Sequence, residues 1–215
     1  LGDEVAVKVV RHDVMAAPEF RPRFEREVAI SAGVMHPHLV PLHDLGELPD
    51  GRPYLALALA DSGSLLELRR TNPPWPLLRR LLDETLSALS CLHARGILHL
   101  DVKLSNVLLH RGRDTKLHAW LSDLGLAKAL EQREAFQGTL AGTLSYMPLE
   151  VLLRRYGEIG PAADLFAMGV LLYRLVSGTN PFKEQGVPAH INLRYRPPKR
   201  VPVRRGLVVP PWLEE

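Results

Sequence analysis

The polar side chains at positions 99, 101, 103 and 106 stand close together between two apolar segments. The stretch reads His-Leu-Asp-Val-Lys-Leu-Ser-Asn, and a second carboxylate, Asp123, follows after another short apolar segment. Carboxylate and carboxamide oxygens such as those of Asp101, Asn106 and Asp123 suit Mg²⁺, which takes few protein ligands and completes its shell with phosphate oxygens. A carboxylate with a lysine two residues later, as in Asp101 and Lys103, can orient a hydroxyl and stabilise a phosphoryl group in transfer. The pattern therefore indicates a magnesium-dependent phosphoryl-transfer site.

The elements that must position these side chains begin with a strand-rich region. Val5–Val10 is short and β-branched, which is typical of a strand. Residues 18–35 carry apolar side chains at roughly helical spacing and predict a helix. Leu39–Leu45 and Tyr54–Leu59 read as two strands, and the Pro-Asp-Gly turn at residues 49–51 predicts that they form an antiparallel hairpin.

After residue 60 the sequence becomes helical in character. Ser64 is placed to cap a short helix that begins at Leu65. Leu77–Arg95 predicts a long amphipathic helix with leucines on one side, ended by Gly96. Ala162–Ser177 is strongly apolar and predicts a buried helix.

Three shorter features complete the pattern. Leu117–Leu121 predicts a further strand, and Val107-Leu108-Leu109 is the apolar segment that closes the polar loop. Residues 123–150 show little periodicity, which in a compact domain is typical of a functional loop. We expect a small β-rich lobe at residues 1–60 and a larger helical lobe at residues 61–215.

Six short motifs, in order and spacing over about residues 1–182, resemble those of eukaryotic-type (Hanks-type) serine/threonine protein kinase catalytic domains. The stretch at 99–106 fits the catalytic-loop pattern H-x-D-x-x-x-x-N, and Asp123-Leu124-Gly125 stands where D-F-G does. The four other matches are Val5-Ala6-Val7-Lys8 for the V-A-I-K strand, Glu27 for the C-helix glutamate, residues 142–150 for the loop ending in A-P-E, and Asp164 for the aspartate that braces the catalytic loop.

The resemblance implies an α+β, bilobal, kinase-like fold. A small antiparallel sheet with one helix would form a partial N-terminal lobe at residues 1–60, and residues 61–215 would form a partial, mainly helical C-terminal lobe. The glycine-rich phosphate loop should precede Lys8, so we expect a domain that lacks its first two strands and its last helices.

The family roles of the catalytic residues transfer position by position. Asp101 would accept the proton of a substrate Ser or Thr hydroxyl, and Lys103 would contact the γ-phosphate. The remaining implied roles are phosphate binding by Lys8 in a pair with Glu27, Mg²⁺ binding by Asn106 and Asp123, and bracing of Asp101 and Lys103 by Thr143.

The resemblance also implies a nucleotide pocket and its partners. Leu57 would be the gatekeeper, Ala58 and Ala60 would offer backbone hydrogen bonds to adenine, and Ala6 and Leu108 would sandwich the ring. The implied cofactors are ATP and Mg²⁺, and the implied partner is a protein substrate with a Ser or Thr acceptor. We expect no nucleic-acid partner.

Two departures from the family pattern favour a rival interpretation. No glycine-rich loop precedes Lys8, and the final helices of the family pattern are missing. The chain could therefore be a catalytically inactive kinase-like fragment or pseudokinase that acts as a binding module. A separate departure is Leu100, which precedes Asp101 where the family usually has an arginine that grips a phosphorylated loop. The family's functional residues that this chain retains favour an enzyme, namely Lys8, Glu27, Asp101, Asn106 and Asp123.

Composition narrows the class of protein. The 215 residues include 46% hydrophobic and 24% charged residues, which are globular values and argue against wholesale disorder. The only cysteine, Cys91, permits no intrachain disulfide, and no apolar run approaches the roughly 18–20 residues of a membrane span. We expect a cytoplasmic location.

The net charge of +3 comes from one strip at residues 194–206, which holds six basic residues and no acid. Removing these six charges from +3 leaves −3 for the rest of the chain. We interpret the strip as a solvated loop, and a docking surface for an acidic partner or nucleic acid is the alternative.

Overall fold

The computed structural model describes residues 4–15, 24, 28–29, 32–123, 145–153, 159–182 and 201–213. Two of the predicted site residues, Glu27 and Thr143, lie outside this part of the chain, as does most of the segment predicted to be a functional loop.

Three strands form a small antiparallel sheet near the start of the chain. They are β1 (Val5–Val9), β2 (Leu42–Glu47) and β3 (Pro53–Ala58), in the order β1-β3-β2. A turn at Gly51, with φ +83°, joins β2 to β3, so the predicted hairpin and the predicted first strand are both confirmed. The strand β1 pairs with β3 so that Ala6 faces Leu57 and Lys8 faces Leu55.

Helical backbone lies between β1 and β2, in α1 (His12–Met15) and at residues 24, 28–29 and 32–33. The helix predicted to reach Met35 stops at Gly33, and most of its length lies outside the described residues. The strand predicted from Leu39 begins instead at Leu42. Leu39 forms a parallel bridge with Leu121 of another sheet, so its backbone is committed elsewhere.

The larger lobe begins with α2 (Leu65–Leu68), whose predicted cap is confirmed. The Ser64 hydroxyl accepts a hydrogen bond from the Leu66 amide at 3.2 Å. The long helix α3 (Trp75–His93) starts and ends two residues earlier than predicted and carries the expected leucine stripe on its buried side. Gly96, with φ +70°, turns the chain away after the helix.

A two-stranded antiparallel sheet of β4 (Val107–Arg111) and β5 (Leu117–Leu121) lies beside α3. A one-turn helix, α4 (Leu149–Leu152), and the apolar helix α5 (Pro161–Ser177) follow. Among the described residues, 3₁₀ turns are formed by Arg69–Thr71, Leu104–Asn106 and Pro211–Leu213.

The main core lies in this lobe, where leucines of α3, β4, β5 and α5 pack together, among them Leu81, Leu89, Leu109, Leu121 and Leu171. A small antiparallel sheet with helical backbone beside it and a larger, mainly helical part confirm the predicted bilobal α+β class. Among the described residues, no helix is both long enough and apolar enough to cross a membrane.

Candidate active site

The polar loop at residues 99–106 folds into a hydrogen-bonded network around one carboxylate. Oδ2 of Asp101 accepts a hydrogen bond from Lys103 Nζ at 3.0 Å and another from Asn106 Nδ2 at 2.8 Å. Asn106 Nδ2 also donates to the Asp101 carbonyl oxygen at 3.0 Å. Asp101 and Asn106 are buried, at 7% and 3% exposure. A buried carboxylate with satisfied partners holds one orientation, which is what a positioned proton acceptor requires.

A fully buried carboxylate on α5 accepts hydrogen bonds from the backbone of the loop. Asp164 accepts hydrogen bonds from the backbone amides of His99 at 2.9 Å and Leu100 at 2.7 Å, and it also bonds His93 Nε2 at 2.7 Å. The bracing role that the resemblance assigns to Asp164 is therefore present. Leu100 lies in the left-handed region, with φ +58°, and its side chain is exposed where the family usually has a cation.

The buried imidazole of His99 connects the loop to the end of β5. The Asp101 amide donates to His99 Nδ1 at 3.2 Å, so the proton lies on Nε2, which donates to the Ser122 carbonyl at 3.0 Å. Burial lowers the pKa of His99 despite the nearby Asp164 carboxylate, which keeps the ring neutral. The Ser122 amide in turn donates to the Asn106 carbonyl at 2.8 Å. These bonds fix the backbone from which Asp123 projects.

An ion pair connects the small sheet to the residue that follows β5. Lys8 Nζ lies 2.5 Å from Asp123 Oδ1, although the two residues are 115 positions apart in sequence. Burial alone would raise the pKa of Asp123, but the charge and hydrogen bond of Lys8, together with the charge of Lys103, outweigh burial and hold that pKa below its ordinary value. The lysine predicted from a strand motif and the aspartate predicted from a turn motif are thus brought into contact.

The residues predicted to hold adenine lie along β1, β3 and β4. Ala6 and Leu57 are directly opposite each other, and because alternate side chains share a face, both lie on the Lys8 side of the sheet. The Ala58 amide already donates to the Pro41 carbonyl at 2.9 Å, which leaves the Ala58 carbonyl oxygen as the group that could accept a hydrogen bond from adenine. Ala60, like Ala6, Leu57 and Leu108, is only half-buried.

Two backbone contacts place the start of the larger lobe against β4. The Ser62 amide donates to the Leu109 carbonyl at 3.0 Å, and the Leu109 amide donates to the Gly63 carbonyl at 2.8 Å. Ser64 also forms an antiparallel bridge with Leu108. The segment between the two lobes is therefore fixed to the strand that carries Leu108.

The donor set fits a magnesium ion bound with phosphates. Asn106 and Asp123 offer amide and carboxylate oxygens, the ligand class that Mg²⁺ takes, and they are few enough to leave positions for phosphate oxygens. Two ammonium groups carry the charge that polyphosphates attract: that of Lys8 adjoins Asp123, and that of Lys103 adjoins Asp101.

Sequence analysis missed one polar contact that fixes β5. Glu84 of α3 accepts hydrogen bonds from the Ala119 amide at 2.7 Å and from His118 Nδ1 at 2.8 Å. His38 Nδ1 lies 3.9 Å from Oε2 of the same carboxylate. The feature of the sequence that could have indicated this contact is a glutamate beside the apolar stripe of α3. Among the described residues, no group of three or more histidine, cysteine, aspartate or glutamate side chains could hold a metal ion.

Comparison with known proteins gives a consistent result. The profile of the protein kinase domain family matches residues 1–201. CBL-interacting protein kinase 4 of Oryza sativa subsp. japonica is 39% identical over 194 residues, which cover 86% of this chain and 41% of that protein. The serine/threonine-protein kinase PknA of Mycobacterium tuberculosis is 34% identical over 193 residues, covering 86% of this chain and 43% of that protein. PknF of the same species is 32% identical over 184 residues, covering 83% and 38%. The chain thus spans about two fifths of the length of the curated relatives it matches.

Proposed function

The chain belongs to the protein kinase domain family, and from this premise we propose that it transfers the γ-phosphoryl group of ATP to a Ser or Thr hydroxyl of a protein substrate. The observation that carries the proposal is the convergence of two networks. Asp101 is held by Lys103 and Asn106 on one loop, and Asp123 meets Lys8 at the end of the next strand.

Asp101 is the proposed acceptor of the substrate proton. Its side chain is 6% exposed and its Oδ2 is fixed by two donors, so a hydroxyl that approaches it meets a carboxylate of fixed orientation. Lys103, which donates to the same oxygen, would contact the γ-phosphate. Catalysis of this kind depends on positioning and charge stabilisation more than on covalent chemistry.

Lys8, Asn106 and Asp123 are the proposed ligands of the triphosphate and its metal. Bound Mg²⁺ would neutralise the negative charge on the phosphate oxygens and so favour attack by the hydroxyl. Lys8 would bind the α- and β-phosphates. Two further roles stay predictions because their residues lie outside the described part of the chain, namely the pairing of Glu27 with Lys8 and the bracing of Asp101 by Thr143.

The adenine ring is proposed to lie between Ala6 and Leu108, with Leu57 as gatekeeper. Ala58 would accept through its carbonyl oxygen, and Ala60 would provide the second backbone hydrogen bond. The proposed lobes are residues 1–60 and 61–215, and the proposed location is the cytoplasm, where ATP is abundant.

The test combines nucleotide binding with phosphoryl transfer. Purified chain should melt at higher temperature with Mg·ATP than without it, and it should transfer labelled phosphate to a peptide library with Ser or Thr acceptors. Asp101→Asn should lower kcat roughly 10²- to 10⁴-fold while the thermal shift with Mg·ATP is retained. Asp123→Asn should lose the magnesium dependence of that shift.

Asp83→Asn is the matched control, since this aspartate is two-thirds exposed on α3 and far from the networks in sequence. It should behave as the unmodified chain. Absence of both a Mg·ATP shift and transfer would contradict the proposal. Binding of Mg·ATP with no transfer above the Asp101→Asn background would identify the chain as an inactive binding module.

A further inference from the structure

Three arginines of the larger lobe have no acidic partner among the described residues. Arg69 lies in the 3₁₀ turn after α2, Arg174 in the last turn of α5, and Arg204 in the C-terminal part of the described chain. None of the ion pairs formed by described carboxylates involves them. Buried nitrogens of all three have no hydrogen-bond partner, namely Nε of each arginine and also Nη2 of Arg204. Unpaired buried donors of a charged group lower the stability of the fold, so the contribution of the cluster to folding does not explain it.

These arginines form a chain of neighbours, in which Arg174 and Arg69 lie near Tyr146 and Arg204 contacts Arg69. Arg204 Nη1 donates to the Arg69 carbonyl at 2.6 Å, and burial together with the Arg69 charge lowers the pKa of Arg204. Arg174 Nη1 donates to the Tyr146 hydroxyl at 2.8 Å, and its Cζ lies 5.1 Å from the centre of the Tyr146 ring. Burial raises the pKa of Tyr146, and the charges of Arg174 and Arg69 both oppose that rise. Three positive charges therefore converge where the described chain supplies no carboxylate.

The tyrosine connects this cluster to the proposed acceptor site. Tyr146 lines a small cavity together with Leu100, Asp101 and Met147, while its hydroxyl faces Arg174. The cluster thus lies about one tyrosine side chain away from the proposed base. An extended peptide advances about 3.3 Å per residue, so a side chain a few positions from the acceptor can span that separation.

We propose that Arg69, Arg174 and Arg204 form a subsite for an anionic side chain, a carboxylate or a phosphate, of the protein substrate. The inference rests on the proposed function, because it names the class of substrate for the same site. Guanidinium groups present planar, forked donors that match carboxylate and phosphate oxygens. An anion that entered the cluster would pair the orphaned donors and relieve the repulsion between the arginines. Arg204 belongs to the basic strip at residues 194–206, so the subsite also gives part of that strip a role.

The test uses peptides with one Ser acceptor in a neutral background. Glu, phosphoserine, Gln or Lys is placed at each of about four positions on either side, a span that extended chain can bring to the cluster. At one or two positions Glu and phosphoserine should raise kcat/KM about tenfold over Gln, and Lys should lower it. Fluorescence anisotropy without ATP measures binding of the labelled Glu and Gln peptides separately from turnover.

The arginine variants assign the preference to the cluster. Arg174→Gln and Arg69→Gln should each bring the Glu-to-Gln ratio towards one, and Arg174→Glu should favour the Lys peptide. Arg205→Gln is the matched control, since Arg205 is the exposed neighbour of Arg204 and should leave the ratio unchanged. Melting curves establish whether each variant is folded. If the variant at Arg174 or at Arg69 does not fold, the variant at the other position still tests the subsite.

Equal use of Glu, Gln and Lys peptides by an active enzyme would overturn the subsite and leave the proposed function standing. If no peptide is phosphorylated, the proposed function fails, and the anisotropy ratio of the Glu and Gln peptides still decides the subsite. If inorganic phosphate stabilises the chain in an Arg174-dependent way while peptides show no charge preference, the cluster binds free phosphate and selection of substrates is overturned.

Discussion

The catalytic loop and the small sheet contribute to one site but are supported very differently. Around the loop, the core of the larger lobe contains leucines of α3, β4 and α5 that are fully buried. In the sheet only Leu55, Ala56 and Ala58 are buried, whereas Val5 and Val7 are 40% and 56% exposed. Within the described residues β1 is an edge strand, paired only with β3. The site therefore joins a well-packed half that holds Asp101 to a thinly packed half that carries Lys8.

The two ion pairs of the site show the same contrast. The side chains of Lys103 and Asp101 are 17% and 6% exposed, whereas those of Lys8 and Asp123 are 42% and 43% exposed. Pairs exposed to that degree contribute about 0–1 kcal/mol to stability. The position of Lys8 thus depends on the sheet that carries it rather than on its bond to Asp123. We expect the proposed nucleotide to order this half of the site when it binds.

The contrast between the two halves predicts that the largest loss of stability follows from removing Asp164, which supports the catalytic loop. Asp164→Ala removes the acceptor of two backbone amides and of His93, so buried donors are left unpaired. We expect a loss of about 3–5 kcal/mol in the free energy of unfolding, measured with urea. Asp83→Ala, at an exposed position of α3, should change it by less than about 0.5 kcal/mol.

A small loss in the Asp164→Ala variant would break the comparison, because the loop would then have other support. Asp164→Asn gives a more specific test of the same comparison. An amide keeps one acceptor oxygen, so this variant should lose less stability than Asp164→Ala and retain more of the Asp101 geometry.

A matched pair of leucines tests the packing of the two halves directly. Leu171→Ala in α5 creates a cavity in a fully buried site, and Leu55→Ala does so in the sheet at 5% exposure. We expect about 3–5 kcal/mol for Leu171→Ala and about 2 kcal/mol for Leu55→Ala. Hydrogen exchange should show that Leu55→Ala speeds exchange in β1 and β3 while α5 stays protected. Equal losses and global exchange in both variants would mean that the halves unfold as one unit.

Local patterns in the sequence predict the elements whose partners are close in the chain. The hairpin needed only its turn at Gly51, and α3 and α5 needed only their own apolar periodicity. The start of β2 could not be obtained in this way. Leu39 continues the apolar pattern of that strand, but its backbone pairs with Leu121, some eighty residues away, and no local pattern encodes that choice.

The site residues show the same difference between contacts that are local in sequence and contacts that are not. Asp101, Lys103 and Asn106 lie within six residues and could be grouped by spacing, whereas the contact of Lys8 with Asp123 was accessible only through the resemblance. The arginine cluster was not predicted at all. Its members lie at positions 69, 174 and 204, in three segments far apart in the chain. The basic strip that includes Arg204 was noticed in the sequence, but no local pattern indicates that the fold brings Arg69 and Arg174 to it.

Acid should affect the well-packed half first, through His99. Its pKa is lowered by burial, so below the unfolded value of about 6.5 the unfolded chain binds a proton that the folded chain does not. The stability that neutral His99 contributes is complete above that pH and is lost as pH falls, by at most about 1.4 kcal/mol per pH unit.

His99→Gln should therefore be less stable than the unmodified chain at about pH 7.5 but lose less melting temperature on going to about pH 5.5. His118 has the opposite sign. Burial acts to lower its pKa, but the hydrogen bonds to Glu84 and Asp114 outweigh burial and raise it, so charged His118 stabilises the fold at low pH. His118→Gln should thus steepen the loss on acidification, whereas His99→Gln should flatten it. Identical slopes in the two variants would show that acid acts elsewhere, and the buried loop would then lose its claim to be the pH-sensitive half of the site.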